Sequence, residues 1–245
     1  MKNVLLVGAT SAIAEEVAKI YASDGNVLYL AGRDRTKLEN IKADLIVRGA
    51  HSVHIKFWNA ENNELHQELV DCAFEKLEAI DIAIIAHGSL PNQELCQLSE
   101  DKTIDEINTN ALSVIRLLTH LANKMEKQGS GSIAVITSVA GDRGRLSNYI
   151  YGSAKGMVSI FLQGLSHRLS KSGVHVIDIK PGFVDTPMTK EFKKGVLWTS
   201  PFKIARIITN RIKQRSYLAY APSYWSIIMC IIRNIPFSII KRTKL

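Results

Sequence analysis

Little in this chain points to a metal site, a disulfide framework or export. The three cysteines, Cys72, Cys96 and Cys230, share no ligand-like spacing and are too scattered to staple a small fold. They read as reduced thiols in a cytosolic setting, with no metal site. No secretory leader is expected, because Met1-Lys2-Asn3 runs straight into a strand-like segment ending at Gly8. No apolar run reaches the roughly 20 residues that a membrane-spanning helix needs. Internal repeats and linker-like stretches are lacking too. Acidic residues vanish near the C-terminus: from Lys190 onward, twelve lysines and arginines are opposed by Glu191 alone, within a net charge of +8. Such a tail implies an anionic partner (phosphorylated ligand, membrane surface or nucleic acid) or a solvated basic face. Nucleic acid is disfavoured, since no zinc knuckle or aromatic-interleaved basic stretch accompanies the charge.

What is present is core. With 245 residues, 46% hydrophobic and 22% charged, the chain suits one α/β domain. Strand-like runs fall at 3–7, 27–31, 52–57, 81–86, 132–137, 175–180 and 217–220. Helical patterns fill 12–23, 35–48, 63–77, 101–128, 149–172 and 201–215, the last opened by Ser200 as N-cap and Pro201 in the first turn. The strands are apolar and β-branched rather than alternating, as expected where helices cover both faces. The expected fold is a single-domain, Rossmann-type, doubly wound parallel sheet of about seven strands. That domain spans 1–221, followed by an apolar and basic extension, 222–245. In the extension, an apolar block from Tyr224 to Ile232 is interrupted by Arg233, Asn234 and Pro236. It fits a segment lying in a membrane interface, or a tail packed on its own domain or on a second subunit. The expected location is cytoplasmic, with peripheral contact at the inner membrane face under the first reading.

The chemistry concentrates at Tyr151 and Lys155, with Ser138 thirteen positions before the tyrosine. A spacing of four on a helix places phenol and ammonium on one face. The lysine charge favours the phenolate and draws the phenol pKa down from about 10. Ser138 follows a strand, so its hydroxyl can meet the same substrate oxygen. Tyr149 competes for the role, but four residues on it meets Ser153 and no base.

At the other end, the first strand enters Gly8-Ala9-Thr10-Ser11-Ala12-Ile13-Ala14 and a helix begins. A strand, a tight turn and a helix N-terminus make a pyrophosphate site, with Gly8, Thr10, Ser11 and Ile13 as candidate contacts. Only Gly8 remains of three expected glycines, with Ala12 and Ala14 in the other two places, so the loop alone is a weak signal. Arg33, just past the second strand, suits a 2′-phosphate and favours NADP(H) over NAD(H). Asn59 is a candidate for the adenine edge, or a plain turn asparagine.

With the Ser138, Tyr151, Lys155 set and the Gly8 loop, residues 3 to 190 resemble the short-chain dehydrogenase/reductase family. The resemblance implies that Tyr151 is the general acid/base, that Lys155 binds the nicotinamide ribose and tunes the tyrosine, and that Ser138 orients the carbonyl. It implies an asparagine supporting a proton-relay water, for which Asn108 matches best and Asn110 competes. In Pro181-Gly182-Phe183-Val184-Asp185-Thr186 it implies a nicotinamide-clamping turn, with Pro181, Val184 and Thr186 as contacts. After the fourth strand, Ile85-Ala86-His87-Gly88 replaces the family's Asn-Asn-Ala-Gly. Ala86 and Gly88 then flank the cofactor, and His87 reads as a packed, hydrogen-bonded histidine. Residues 139–151 and the C-terminal segment resemble the branch containing decaprenylphosphoryl-2-keto-ribose reductases. That implies a keto-sugar or lipid-linked keto-sugar substrate in cell-envelope polysaccharide synthesis, contacted by Arg143, Arg145, Asn148 and Trp198. Family likeness also implies a homodimer or homotetramer. The competing reading from another class is a non-catalytic nucleotide-binding scaffold that kept the fold.

Overall fold

The computed structural model describes residues 1–62 and 64–242. Seven strands form one sheet: β1 (Asn3–Val7), β2 (Val27–Gly32), β3 (Ser52–Phe57), β4 (Ile82–Ile85), β5 (Gly131–Ile136), β6 (Val174–Pro181) and β7 (Leu218–Ala221). Their spatial order is β3-β2-β1-β4-β5-β6-β7, and every neighbouring pair is parallel. Between them lie α1 (Ala12–Ser23), α2 (Arg35–Val47), α3 (Leu65–Leu77), α4 (Gln93–Cys96), α5 (Glu100–Ile107), α6 (Ser113–Gln128), α7 (Tyr149–Leu169) and α8 (Pro201–Lys213). Two helices follow the last strand, α9 (Tyr224–Asn234) and α10 (Phe237–Ile240). The helix expected from 63 starts at Leu65 among the described residues; Asn63 and residues 243–245 lie outside them.

The sheet is apolar on both faces because alternate side chains of each strand enter different cores. Leu5, Val7, Ala83, Ile85, Ile133 and Val135 pack with Leu69, Leu117, Leu121, Val158 and Leu162 of α3, α6 and α7. Val4, Leu6, Ile82, Ile84 and Ala134 pack with Val17, Leu38, Leu45, Ile204 and Ile208 of α1, α2 and α8. This is a three-layer sandwich. The chain leaves β1 toward β2 on one side and returns to pair β4 on the other. A crevice opens at such a switch point, beyond the strand C-termini, and ligands of doubly wound sheets bind there.

One expected element is corrected. The helix read across 101–128 is broken into α5, a π-helical turn (Asn108–Leu112) and α6. A π-turn inserts an extra residue into the helical ladder and re-aims the side chains around it. Apolar periodicity cannot reveal it, because the apolar face is carried on by α6, whose Val114, Leu117, Leu118 and Leu121 are all buried. The short α4, capped by Asn92 accepting from the Leu95 amide at 3.1 Å, is too brief to carry a periodic signal. No helix among the described residues is long and apolar enough to cross a membrane.

Candidate active site

The crevice is assembled from the ends of β1, β4, β5 and β6. Gly8 follows β1 with a positive φ of 78°, and a Cβ there would stand 2.5 Å from the His87 backbone nitrogen. Only glycine lets the two strand ends approach this closely. Ser11 occupies the N-cap of α1 in extended conformation, yet its side chain makes no capping bond. No side chain caps the first turn of α1, as a helix end that receives an anion requires. Thr10 lies against Gly32 at the tip of β2. Arg33 is exposed beside it, while Asp34 is engaged as the N-cap of α2, accepting from the Lys37 amide at 3.0 Å. Asn59 closes a local turn, its Oδ1 accepting from the Glu61 amide at 3.3 Å. Loop, helix end and arginine together fit a dinucleotide phosphate chain.

Ser138 follows β5 and starts a 3₁₀ turn (Val139–Asp142), its Oγ accepting from the Ala140 amide at 3.1 Å. Asp142, at the end of that turn, is held by Lys180 at 2.5 Å and by the Tyr220 hydroxyl at 2.6 Å. The lysine and aspartate side chains of this pair are only 8% and 4% exposed, so the anchor is almost dry. The turn also lies flat on α7. A Cβ on Gly141 would come within 2.7 Å of the Gly156 amide nitrogen, and neither backbone could move so close if it carried a side chain. This contact sets Ser138 against the first turns of α7, where Tyr151 and Lys155 stand. Gln93 of α4, not anticipated from sequence, accepts from the Ile150 amide at 3.1 Å and so ties down the same helix start.

Electrostatics in the cluster differ from the sequence expectation. Burial pushes the Tyr151 phenol up to about 12, opposed by a hydrogen bond from the Ser138 hydroxyl. Burial also brings the Lys155 ammonium down to about 8, opposed by the Asp178 carboxylate. The lysine Nζ lies 5.7 Å from the centroid of the Tyr151 ring, so its charge meets the ring face. Desolvation therefore outweighs the expected drawing-down of the tyrosine. No carboxylate among the described residues forms an ion pair with Lys155, which leaves its donors for hydroxyl groups of a bound ligand.

The structure places the two candidate asparagines differently. Asn108 is exposed, whereas Asn110, two residues on in the π-turn, is fully buried. A Cβ on Gly88 would stand 2.7 Å from Asn110 Oδ1 and 3.2 Å from Lys155 Nζ, so both groups flank the same point beyond β4. Asn110 Oδ1 accepts from the Ser89 amide at 3.1 Å, and its Nδ2 donates to Ser89 Oγ and to Glu106, each at 2.9 Å. The Ser89 hydroxyl donates to the same Glu106 carboxylate. The extra residue of the π-turn swings Asn110 inward and leaves Asn108 in solvent. Asn110→Ala is expected to lower turnover on the order of a hundredfold, the scale of a small misplacement at a reacting centre, while Asn108→Ala stays near wild type. Steady-state kinetics on both variants decides the assignment.

His87 is packed, not poised for proton transfer. Burial, aided by the Lys155 charge, brings it down to about 3. Its Nε2 shares a 2.8 Å hydrogen bond with Ser113 Oγ, which donates at 2.8 Å to the Thr109 carbonyl, and its ring sits edge-on to Trp58. Past Pro181, the turn is tied by Thr189, whose hydroxyl donates to the Val184 carbonyl at 2.7 Å and accepts from the Thr186 amide at 3.1 Å.

Of the four substrate candidates, Arg143 is diverted: its guanidinium donates to the carbonyls of Arg233 and Ile235 at 3.0 and 2.9 Å, capping α9. Arg145 Nε and Asn148 Oδ1, in the loop before α7, are buried polar atoms without a partner. Trp198 stacks on Phe183 with ring centroids 5.4 Å apart, forming an aromatic shelf beside the Val184 turn.

A sheet crevice that accepts a dinucleotide, with a serine, a tyrosine and a lysine converging beside it, defines an NAD(P)-dependent oxidoreductase. The sequence profile of the short chain dehydrogenases matches residues 2–196, and the chain belongs to that family. It is 32% identical over 219 residues to an uncharacterized oxidoreductase of Mycobacterium tuberculosis, covering 89% of this chain and 88% of the relative. An uncharacterized oxidoreductase of Streptomyces coelicolor is 27% identical over 245 residues, covering 98% of this chain and 95% of the relative. Among solved structures, a short-chain dehydrogenase/reductase of Mycobacterium ulcerans superposes with a TM-score of 0.82 at 19% identity, covering 89% of this chain and 87% of that one. An actinorhodin polyketide ketoreductase solved with NADPH gives 0.79 at 20% identity, covering 89% and 94%. At these identities the superpositions report the fold.

Proposed function

We propose that the protein is an NADPH-dependent reductase of ketones, with Tyr151 as proton donor. The observation that carries this reading is the grouping at the crevice: a buried Tyr151 phenol, hydrogen-bonded to Ser138 and with the Lys155 ammonium 5.7 Å from its ring, keeps its proton at neutral pH and suits donation to a carbonyl. A dinucleotide held in the crevice would supply the hydride for the carbonyl carbon. Tyr151 gives its proton to the carbonyl oxygen, so that ketone, hydride and proton become an alcohol. Ser138 hydrogen-bonds the same oxygen as negative charge develops there, and Lys155 supplies positive charge close by. Lys155 also holds ribose hydroxyls, and Asn110, anchored by Ser89 and Glu106, fixes the path along which Tyr151 is reprotonated.

The phosphorylated cofactor is favoured because Arg33 is free at the β2 tip while Asp34 is committed to capping α2. Arg33→Ser is expected to raise the KM for NADPH about ten- to a hundredfold, the worth of a hydrogen bond to a charged group, and to leave that for NADH nearly unchanged. Equal effects on both cofactors would refute the assignment.

For the substrate, we propose a keto-sugar, in the lipid-linked form used in cell-envelope polysaccharide synthesis. The unpaired Arg145 and Asn148 atoms suit an oxygen-rich, anionic ligand, and the Phe183–Trp198 shelf suits an apolar portion. The likeness of residues 139–151 to decaprenylphosphoryl-2-keto-ribose reductases points the same way. NADPH oxidation followed with polyprenyl-phosphate keto-sugars, free keto-sugars and simple ketones tests both levels. Turnover of simple ketones alone would remove the sugar; no turnover of any would remove the reductase.

A further inference from the structure

The C-terminal segment has two unlike faces. Inward, Trp225 and Met229 of α9 are buried on Val139, the neighbour of Ser138. The Trp225 indole also covers Gly182 so closely that a Cβ there would fall 1.9 Å from Nε1, and it meets Phe183 edge-on at 5.1 Å. Arg143 ties the far end of α9 to the catalytic loop. Outward, Ile227 and Ile231 lie one turn apart and are 67% and 62% exposed, followed by Phe237 at 73% and Ile239 at 54%. An apolar outer face of this kind is a candidate contact surface.

We propose that the outer face of α9 and α10 docks the protein onto an anionic bilayer surface. Charge identifies the occupant. Lys241 and Arg242 follow the apolar stripe at its C-terminal end, and no acidic residue occurs anywhere after Glu191. Two copies of this surface would bring cations together around a small apolar patch, whereas anionic headgroups complement the basic end as the isoleucines and Phe237 enter the headgroup–acyl boundary. The geometry is that of a helix lying in the interface, because α9 is too short to span. Since its inner face rests on Val139 and Phe183, docking sets the mouth of the active site at the lipid surface. This inference stands apart from the substrate reading, because lipid binding is measured without turnover.

The test is co-sedimentation of the full chain with vesicles of phosphatidylcholine alone and of phosphatidylcholine mixed with phosphatidylglycerol. Binding to the mixed vesicles only, weakened by salt, is expected. Lys241→Gln with Arg242→Gln should reduce partitioning on the order of tenfold. Ile227→Glu with Ile231→Glu should abolish it; both sites are exposed, so the melting temperature should hold. Failure of the wild type to bind mixed vesicles, equal binding to neutral ones, or full binding by the isoleucine variant would each overturn the proposal. So would sedimentation velocity showing that the isoleucine variant turns a dimer into a monomer, which would give the face to a second copy.

Discussion

Tyr151→Phe is expected to lower kcat roughly 10²- to 10⁴-fold, the range for losing a positioned general acid, while NADPH binding stays close to wild type. The phenol oxygen is the only atom removed. The ring still packs in α7, Ser138 keeps its bond to the Ala140 amide, and Lys155 stays on the same helical face. Cofactor titration by fluorescence and single-turnover reduction separate the two effects. The wild-type enzyme adds a pH signature. Lys155 loses its charge as pH rises through about 8, before Tyr151 begins to ionise near 12. Reduction should therefore decline above pH 8 as the positive charge that stabilises the developing alkoxide disappears. Turnover by the phenylalanine variant at the wild-type rate would remove Tyr151 as the acid.

Lys155→Met should abolish turnover and at the same time raise stability near neutral pH. The ammonium is buried, and its folded-state pKa lies near 8 against 10.5 when unfolded. Between these values the unfolded chain binds more protons, so stability rises with pH across the window. Below pH 8 the cost of burying the charge is present in full, and methionine, of similar length and apolar, relieves it. The expected gain is on the order of a few kcal/mol at neutral pH, shrinking to little above pH 10.5. Thermal melts of both proteins across that range check it. A methionine variant less stable than wild type at neutral pH would mean that Asp178 more than offsets the desolvation.

Much of the site was legible in linear order because its members are close in sequence or at strand ends. Tyr151 and Lys155 share a face at a spacing of four in any α-helix, and Ser138 ends a run that alternates between two cores. What was not legible depends on one residue of phase or on distant partners. Asn108 and Asn110 are two positions apart, and only the π-turn decides which is buried. Arg143, one place past the 3₁₀ turn that Ser138 opens, looked free for a substrate phosphate until α9, ninety residues later, was seen to consume it. Glu106 and Ser89 gave no signal, because a carboxylate and a hydroxyl become an anchor only when a loop and a helix meet.

The amino-acid order alone determined the parallel sheet and the nearness of Ser138, Tyr151 and Lys155, since hydrophobic period and helical spacing are local properties of the chain. Packing decided the rest: which asparagine faces the lysine, which arginine is spent, and that desolvation rather than the lysine charge governs the tyrosine. Those outcomes depend on how much water each group loses, and that is settled only when segments far apart in the chain come together.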